Sequence, residues 1–439
     1  MSSKTSRRDF IKQTAFTTIA IWASDRAWAK GGKSPNDRVQ IACIGVGGKG
    51  ESDTANANKY GTVIAICDVD DNTLNAASQK YPNAKKYNDY REMLEEMDKD
   101  IDAVTVSTPD HHHGPADSMA ISMGKHCYGQ KPLTHSVFET RHLEQLARAK
   151  KVVTQMGNQG TANNSMREAA YKVRAGMIGN VSEVHVWTNR PIWPQGVEVP
   201  PSEPVPSYLH WDYWIGPRKK RPYSSKYEPF VWRGFWSFGT GAMGDMGCHT
   251  INLPFMALDL RNPIYAVAET SGNNKISYPI SSKIEWHFDK NEFHGPLKMW
   301  WYDGGKLPPS DLLPGVELPS SGSLMIGDKG KLFAPGDTGD VSKVYGGVDV
   351  GEVSYPVSPG AWEDGHWMEF INAIKGEGTT MSNFPDYAGP LTETCLVGNL
   401  AVWMDGTSFE WDSKNMKAKG APELDPWIHP RFLNGYKLY

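Results

Sequence analysis

From Arg38 to Met156, short β-rich runs alternate with helix-like stretches. The strand candidates are "RVQIACIG", "TVIAICDVD", "IDAVTVSTP", "KHCYGQKP" and "KVVTQMG"; between them lie stretches such as "NDYREMLEEMDK", "GPADSMAISMG" and "SVFETRHLEQLARAKK". Successive strands separated by helices re-enter a sheet in the same direction, so this alternation predicts a doubly wound parallel sheet. The expected unit is a Rossmann domain over residues 37–158, with "NSMREAAYKVRAG" as a linking helix.

The pattern changes after Gly179. "VSEVHVWTNR" alternates as a strand with one buried face. Six prolines in the 16 residues from Pro191 to Pro206 predict a long loop. A helix is expected across "GDMGCHTINLPFMALDL", despite Pro254. "AVAET", "SKIEWHF", "LKMWWYD", "GSLMIG" and "GKLFAPG" then read as strands separated by turns, and "HWMEFINAIKG" and "GPLTETCLVGNLAVWMDG" as late helices. Strands that follow one another without helices predict a largely antiparallel open sheet, so the fold class is α/β with a second α/β domain over residues 159–439.

"GVGGKG" (Gly45, Val46, Gly47, Gly48, Lys49, Gly50) follows the first strand and opens a helix, the setting in which G-x-G-x-x-G binds a dinucleotide. Gly45 permits the tight turn, Gly47 lets the backbone approach a pyrophosphate, and Gly50 allows helix and strand to pack closely. The helix N-terminus favours the phosphate charge. Asp68 ends the second strand, 18 residues past Gly50. A carboxylate there can bind a ribose 2′-OH and would repel a 2′-phosphate, which favours NAD over NADP. "STPDHHHG" follows a later strand and carries Thr108, Pro109 and His113. Adjacent side chains in a loop diverge and no Cys or carboxylate cluster completes a site, so this reads as a turn beside the dinucleotide with no metal.

With "YGQKPLTH" and "GTGAMGDMGCHTINL" added in this order, the chain resembles the Gfo/Idh/MocA oxidoreductase family, which includes inositol dehydrogenases and glucose–fructose oxidoreductase. The resemblance implies an NAD-dependent enzyme acting on a carbohydrate or polyol, assembled as a homo-oligomer through the second domain's sheet. It implies catalytic roles for Lys131, Asp245 and His249. Asp245 and His249 are spaced i,i+4 and so share one face of a helix. Histidine titrates nearest neutral pH and suits a general base. Asp245 could orient that ring or bind the substrate hydroxyl, and the Lys131 ammonium could hold the reacting oxygen. Most relatives carry Glu where this chain has Gln130, which removes a negative charge from beside Lys131. By the same analogy Asn158, Arg190, Trp193 and Arg233 line the cleft, with Gln130 and Lys131 beside the cofactor. Six of the 16 Trp fall between Trp187 and Trp236, where aromatic faces would suit the C–H faces of sugars or pack the loop.

At the other end, Arg7 and Arg8 precede a short apolar run, and Ala27-Trp28-Ala29 fits a cleavage site. Residues 1–29 look like a twin-arginine signal peptide, which implies export by that machinery to the periplasm as a folded protein. Five cysteines (Cys43, Cys67, Cys127, Cys248, Cys395) form no paired pattern. The net charge of −4 gives no reason to expect a nucleic-acid partner. Folding around NAD before export would supply a cofactor that is scarce outside the cytoplasm. A trapped cofactor must regain its redox state in each turnover. A dehydrogenase with a second substrate satisfies this, as does a glycosidase working by oxidation, elimination, hydration and reduction. The glycosidase ranks second because such relatives usually differ around "GDMGCHT"; a non-catalytic sugar-binding protein ranks third.

Overall fold

The structure, a computed structural model, describes residues 38–439. Arg7, Arg8 and the Ala27-Trp28-Ala29 segment lie outside the described residues. The first domain runs β1 (Gln40–Ile44), α1 (Lys49–Tyr60), β2 (Thr62–Cys67), α2 (Asp71–Lys80), β3 (Lys85–Tyr87), α3 (Tyr90–Glu96), β4 (Ala103–Val106), α4 (Asp110–Ser122), β5 (His126–Gly129), α5 (Val137–Lys150) and β6 (Thr154–Met156). These six strands form one parallel sheet in the order β3-β2-β1-β4-β5-β6. Every residue of β4 is buried, as expected of a strand covered on both faces. The strand order reverses between β1 and β4, and a crevice opens there beyond the strands' carboxyl ends.

Two details of this first domain differ from what the sequence predicts. β3 is an added strand whose Lys85 and Lys86 are exposed. The three histidines are not in a loop: α4 begins at Asp110, so His111, His112 and His113 occupy its first turns, all buried.

After α6 (Asn164–Arg174) come β7 (Val181–Trp187), α7 (Gly241–Thr250), α8 (Asn252–Leu258), β8 (Tyr265–Thr270), β9 (Ser282–Phe288), β10 (Leu297–Tyr302), β11 (Gly322–Gly327), β12 (Gly330–Pro335), β13 (Lys343–Gly346), α9 (Trp362–Ile374), α10 (Gly389–Met404), β14 (Phe409–Asp412) and β15 (Lys417–Lys419). Nine strands form the second sheet, in the order β13-β12-β11-β7-β10-β9-β8-β14-β15. Only β7 and β10 pair in parallel among its named strands. The single helix expected over 244–260 is two, α7 and α8, with Pro254 in the first turn of α8 where its missing N–H costs no bond.

α10 is buried on nearly all sides. It packs so closely on the second sheet that a Cβ at Gly398 would lie 2.2 Å from the Trp286 ring. α9 returns to the first sheet. Trp367 stacks on Tyr128 with ring centroids 4.3 Å apart. Trp367, Phe370 and Ile371 share a core with Ile41, Cys43 and Ile66 of β1 and β2. His366 places Nε2 2.7 Å from the Met156 carbonyl, and the Gln155 amide donates to the His366 carbonyl at 2.6 Å. All five cysteines are buried and free.

Candidate active site

β1 delivers the chain to Gly45, whose φ of 76° is a left-handed value that side chains disfavour. A Cβ there would lie 2.6 Å from the Ser107 carbonyl oxygen. At Gly50 a Cβ would meet the Gly45 carbonyl oxygen at 2.1 Å, so the start of α1 sits directly on the turn. Gly47 abuts a side chain, Thr73, at 2.8 Å from its would-be Cβ, so packing against α2 adds to the need for glycine there. Gly48 faces open space at φ 53°, and no side chain caps the N-terminus of α1.

This uncapped helix end borders a cavity of about 870 Å³ that runs from the end of β2 to α7. Asp68 stands on its wall. One Asp68 oxygen accepts from the Val46 N–H at 2.9 Å and the other from the Asp70 N–H at 3.0 Å. Burial raises the Asp68 pKa to about 6, against the lowering effect of these bonds, so the group is mostly ionised at neutral pH. An anion-favouring helix end, an open glycine and a carboxylate at the β2 terminus together fit the pyrophosphate and ribose of a dinucleotide.

The far end of the cavity joins the two domains. Lys131, two residues beyond β5, places Nζ 2.9 Å from Asp245 Oδ1 and 2.8 Å from the Asp245 carbonyl oxygen. The Arg233 Nε donates to the same Oδ1 at 3.1 Å. Burial alone would push the Asp245 pKa up, but Lys131 and Arg233 outweigh it and hold the carboxyl at about 2. His249 lies one turn along α7 from Asp245. Burial first and the Lys131 charge second lower its pKa to about 3, leaving a neutral ring. Its Nδ1 is buried with no hydrogen-bond partner.

Gln130 turns inward. Its amide donates to Asp53 Oδ2 at 2.8 Å, beside the Ser107 hydroxyl at 2.7 Å, while Lys49 Nζ lies 3.1 Å from Oδ1. Gln130 therefore faces a buried carboxylate, Asp53 of α1, while Lys131 pairs with Asp245.

Gly45, Gly47, Gly48, Asp68, Thr108, Pro109, Gln130, Lys131, Arg190, Trp193, Arg233, Asp245 and His249 all line this cavity. Four of the expected residues serve it from behind. Gly50 packs the turn, and Val46 bonds Asp68 through its N–H. His113 has both ring nitrogens 2.8 Å from main-chain carbonyls, those of Pro132 and Thr108, so it cannot also serve a substrate as a base. Asn158 is fully buried, its Oδ1 accepting from the Ser382 hydroxyl at 2.6 Å; its neighbour Gln159 reaches the cavity instead. His111 and His112 contact the Trp214 carbonyl at 2.9 and 3.0 Å and so fasten the long second-domain loop to α4. Among the described residues no group of three or more His, Cys, Asp or Glu could hold a metal. Sequence reasoning missed Asp337 and Thr338, beyond β12, and Phe230, Leu209 and Tyr436. They stand in irregular segments, where no periodicity marks a residue as facing a cleft.

Fold and cleft thus define a dinucleotide-binding α/β protein with a polar catalytic-type cluster at its domain junction. Residues 39–158 match the family model described as an oxidoreductase family, NAD-binding Rossmann fold, and residues 165–307 match that family's C-terminal alpha/beta domain. The chain belongs to the Gfo/Idh/MocA oxidoreductase family, and its first domain is an NAD-binding Rossmann fold. Over 197 residues it is 30% identical to a glycosyl hydrolase family 109 protein of Solibacter usitatus, covering 41% of this chain and 44% of that protein. Over 125 residues it is 27% identical to inositol 2-dehydrogenase of Salmonella typhimurium, covering 28% of this chain and 37% of the enzyme. The matched stretches thus span less than half of these relatives' length. The WlbA dehydrogenase of Bordetella pertussis, solved with NADH and UDP-GlcNAcA, shares the fold with a TM-score of 0.61 at 15% identity, over 84% of this chain and 98% of that one.

Proposed function

We propose that this protein transfers hydride between NAD and a secondary hydroxyl of a sugar, glycoside or polyol, keeps its cofactor between turnovers, and works in the periplasm after twin-arginine export. The observation that carries the reading is the Lys131–Asp245–His249 cluster at the far end of the cavity that starts at the glycine turn. NAD, when bound, accepts or returns the hydride. The residues' part is to handle the proton and the oxygen. A neutral, unpartnered His249 can take the hydroxyl proton. Lys131 can donate to the oxygen as its negative charge grows. Asp245, pinned by two cations, fixes the Lys131 head group and sits one helical turn from His249.

The test is made on purified, folded protein. Denaturing it should release about one NAD(H) per chain, given one dinucleotide fingerprint. Protein that purifies empty and works only with freely exchanging NAD would rule out the retained cofactor. A panel of polyols and glycosides, each offered with a second, carbonyl-bearing sugar that takes the hydride back from the bound NADH, should then yield ketones. A second reading, a glycosidase without net redox change, is supported by the glycosyl hydrolase relative. It would release aglycone and leave no ketone.

Asp68 is the residue we assign to the adenosine ribose. Asp68→Ala should weaken NAD binding and narrow the preference over NADP, because the carboxylate that repels a 2′-phosphate is gone. Competition of the two cofactors on the variant measures this; an unchanged ratio would mean another group reads the ribose.

A further inference from the structure

The cavity has an outer wall at its β2 end that belongs to neither the glycine turn nor the catalytic cluster. Residues 429–439 cross back from the second domain to the first. The Leu433 N–H donates to the Pro217 carbonyl at 3.0 Å, and the Asn434 amide donates to the carbonyls of Gly216 and Arg218, each at 2.8 Å. Further on, the Tyr439 N–H donates to the Ser118 hydroxyl at 2.7 Å, and the Tyr439 carbonyl lies 2.9 Å from His142 Nε2. These bonds tie the segment to α4, to α5 and to the loop around residues 216–218.

Between the two anchors, Tyr436 is inserted into the cavity wall and is only 7% exposed. Its ring lies 6.1 Å from that of Tyr90 and 5.6 Å from that of His112, with the Arg91 guanidinium 4.1 Å from its centroid. Asp68 and Tyr90, which follow β2 and β3, share the same cavity. In a doubly wound sheet the adenosine half of a dinucleotide extends from the glycine turn toward the end of β2. An adenine ring placed there needs a flat apolar surface, and the first domain's own aromatic on this wall is Tyr90, against which Tyr436 is set.

We propose that Tyr436 packs against the adenine ring of NAD, so that residues 429–439 strap the cofactor into the first domain. The inference rests on the reading that NAD is kept between turnovers, and it assigns that retention to a segment outside both matched family domains. The strap is anchored through the main chain of Leu433 and Tyr439 and the Asn434 amide, none of them part of the Tyr436 ring, so the ring can be altered without cutting these bonds.

The holoenzymes of wild type, Tyr436→Ala and Tyr436→Phe are compared. Release of bound NADH is followed by its fluorescence after a chase with excess NAD. Inhibition of NADH rebinding by AMP and by nicotinamide mononucleotide, the two halves of the cofactor, is measured on the same preparations after the bound cofactor has been washed out. Loss of aromatic–base stacking should speed NADH release and weaken AMP roughly tenfold to a hundredfold in Tyr436→Ala. Nicotinamide mononucleotide should inhibit as before, and Tyr436→Phe should behave as wild type. Equal weakening of both half-cofactors would overturn the assignment in favour of a merely structural ring. Unchanged release and AMP affinity in Tyr436→Ala, with wild type still retaining NAD, would overturn it while the retained-cofactor reading stands. Wild type that exchanges NAD freely would defeat that reading; a selective loss of AMP in Tyr436→Ala would still support the adenine contact.

Discussion

Replacing His249 with alanine should lower turnover by about 10²–10⁴, the usual contribution of a positioned general base. NAD should stay bound and the fold intact, because the glycine turn and Asp68 lie in the other domain. Single-turnover reduction of bound NAD, read as nicotinamide absorbance, measures the step directly; near-normal hydride transfer would remove His249 from it. A free histidine loses its proton near pH 6.5, but His249 becomes charged only as pH falls through about 3. Asp245 is ionised down to about 2. The single-turnover rate of the wild type, measured with NAD already bound so that Asp68 and its pKa of about 6 do not enter, should therefore show no acid limb near pH 6.5 while the protein stays folded. Stability has the opposite dependence. Below about pH 6.5 the unfolded chain protonates its histidines, whereas His112 and His126 wait until about 4 and His366 and His249 until about 3. At these four histidines the unfolded state then binds more protons, so their contribution to stability is lost progressively between about pH 6.5 and 3, opposed by Asp117 and Glu144, whose carboxyls burial raises to about 8 and 7. Acid inactivation should track loss of circular dichroism. An acid limb near pH 6.5 in fully folded protein would mean that His249 is far more basic than its burial implies.

Lys131→Met should cost about 10²–10³ in the same single-turnover rate, the range for losing one donor aimed at a developing oxyanion. Stripping a buried ion pair of one partner costs about 3–5 kcal/mol when nothing replaces it. Here Arg233 still bonds Asp245, so the stability loss should stay below that range and turnover should fall with the protein folded. The double variant with His249→Ala should be little worse than the poorer single one if, as proposed, both groups act on one proton and one oxygen. Additive losses would show that the two residues serve separate steps. Denaturant unfolding separates the structural part of either loss.

The first sheet was legible because its strands are covered on both faces. Runs such as Ala103–Val106 must then be apolar throughout, and the glycine turn must be free of side chains where Gly45 and Gly50 touch backbone. The second sheet was legible for the opposite reason: Ile284, Trp286 and Phe288 alternate with half-exposed neighbours, the mark of one covered face. β3 escaped notice because two of its three residues are exposed lysines. The Lys131–Asp245–His249 cluster could be assembled from i,i+4 spacing and the resemblance. Its arrangement could not: whether Lys131 meets Asp245 depends on how two domains close. The inward turn of Gln130 toward Asp53 and the placing of Asn158 behind Gln159 follow from packing partners 77 and 224 residues away in sequence. Asp337 and Tyr436 lie in segments whose course is set by what they dock against, so no local pattern foretold them.

The return of α9 to the first sheet has a consequence for the ribosome. When residues 38–158 have emerged, the surface of β1, β2 and Tyr128 that Trp367 and Phe370 cover is still bare. At about 5–20 residues per second, the chain needs on the order of 10–40 s more before that helix is made. Throughout that interval the nascent first domain carries an apolar face that must be shielded by a chaperone or by the growing chain. A fragment ending at residue 158 would carry it permanently and should aggregate.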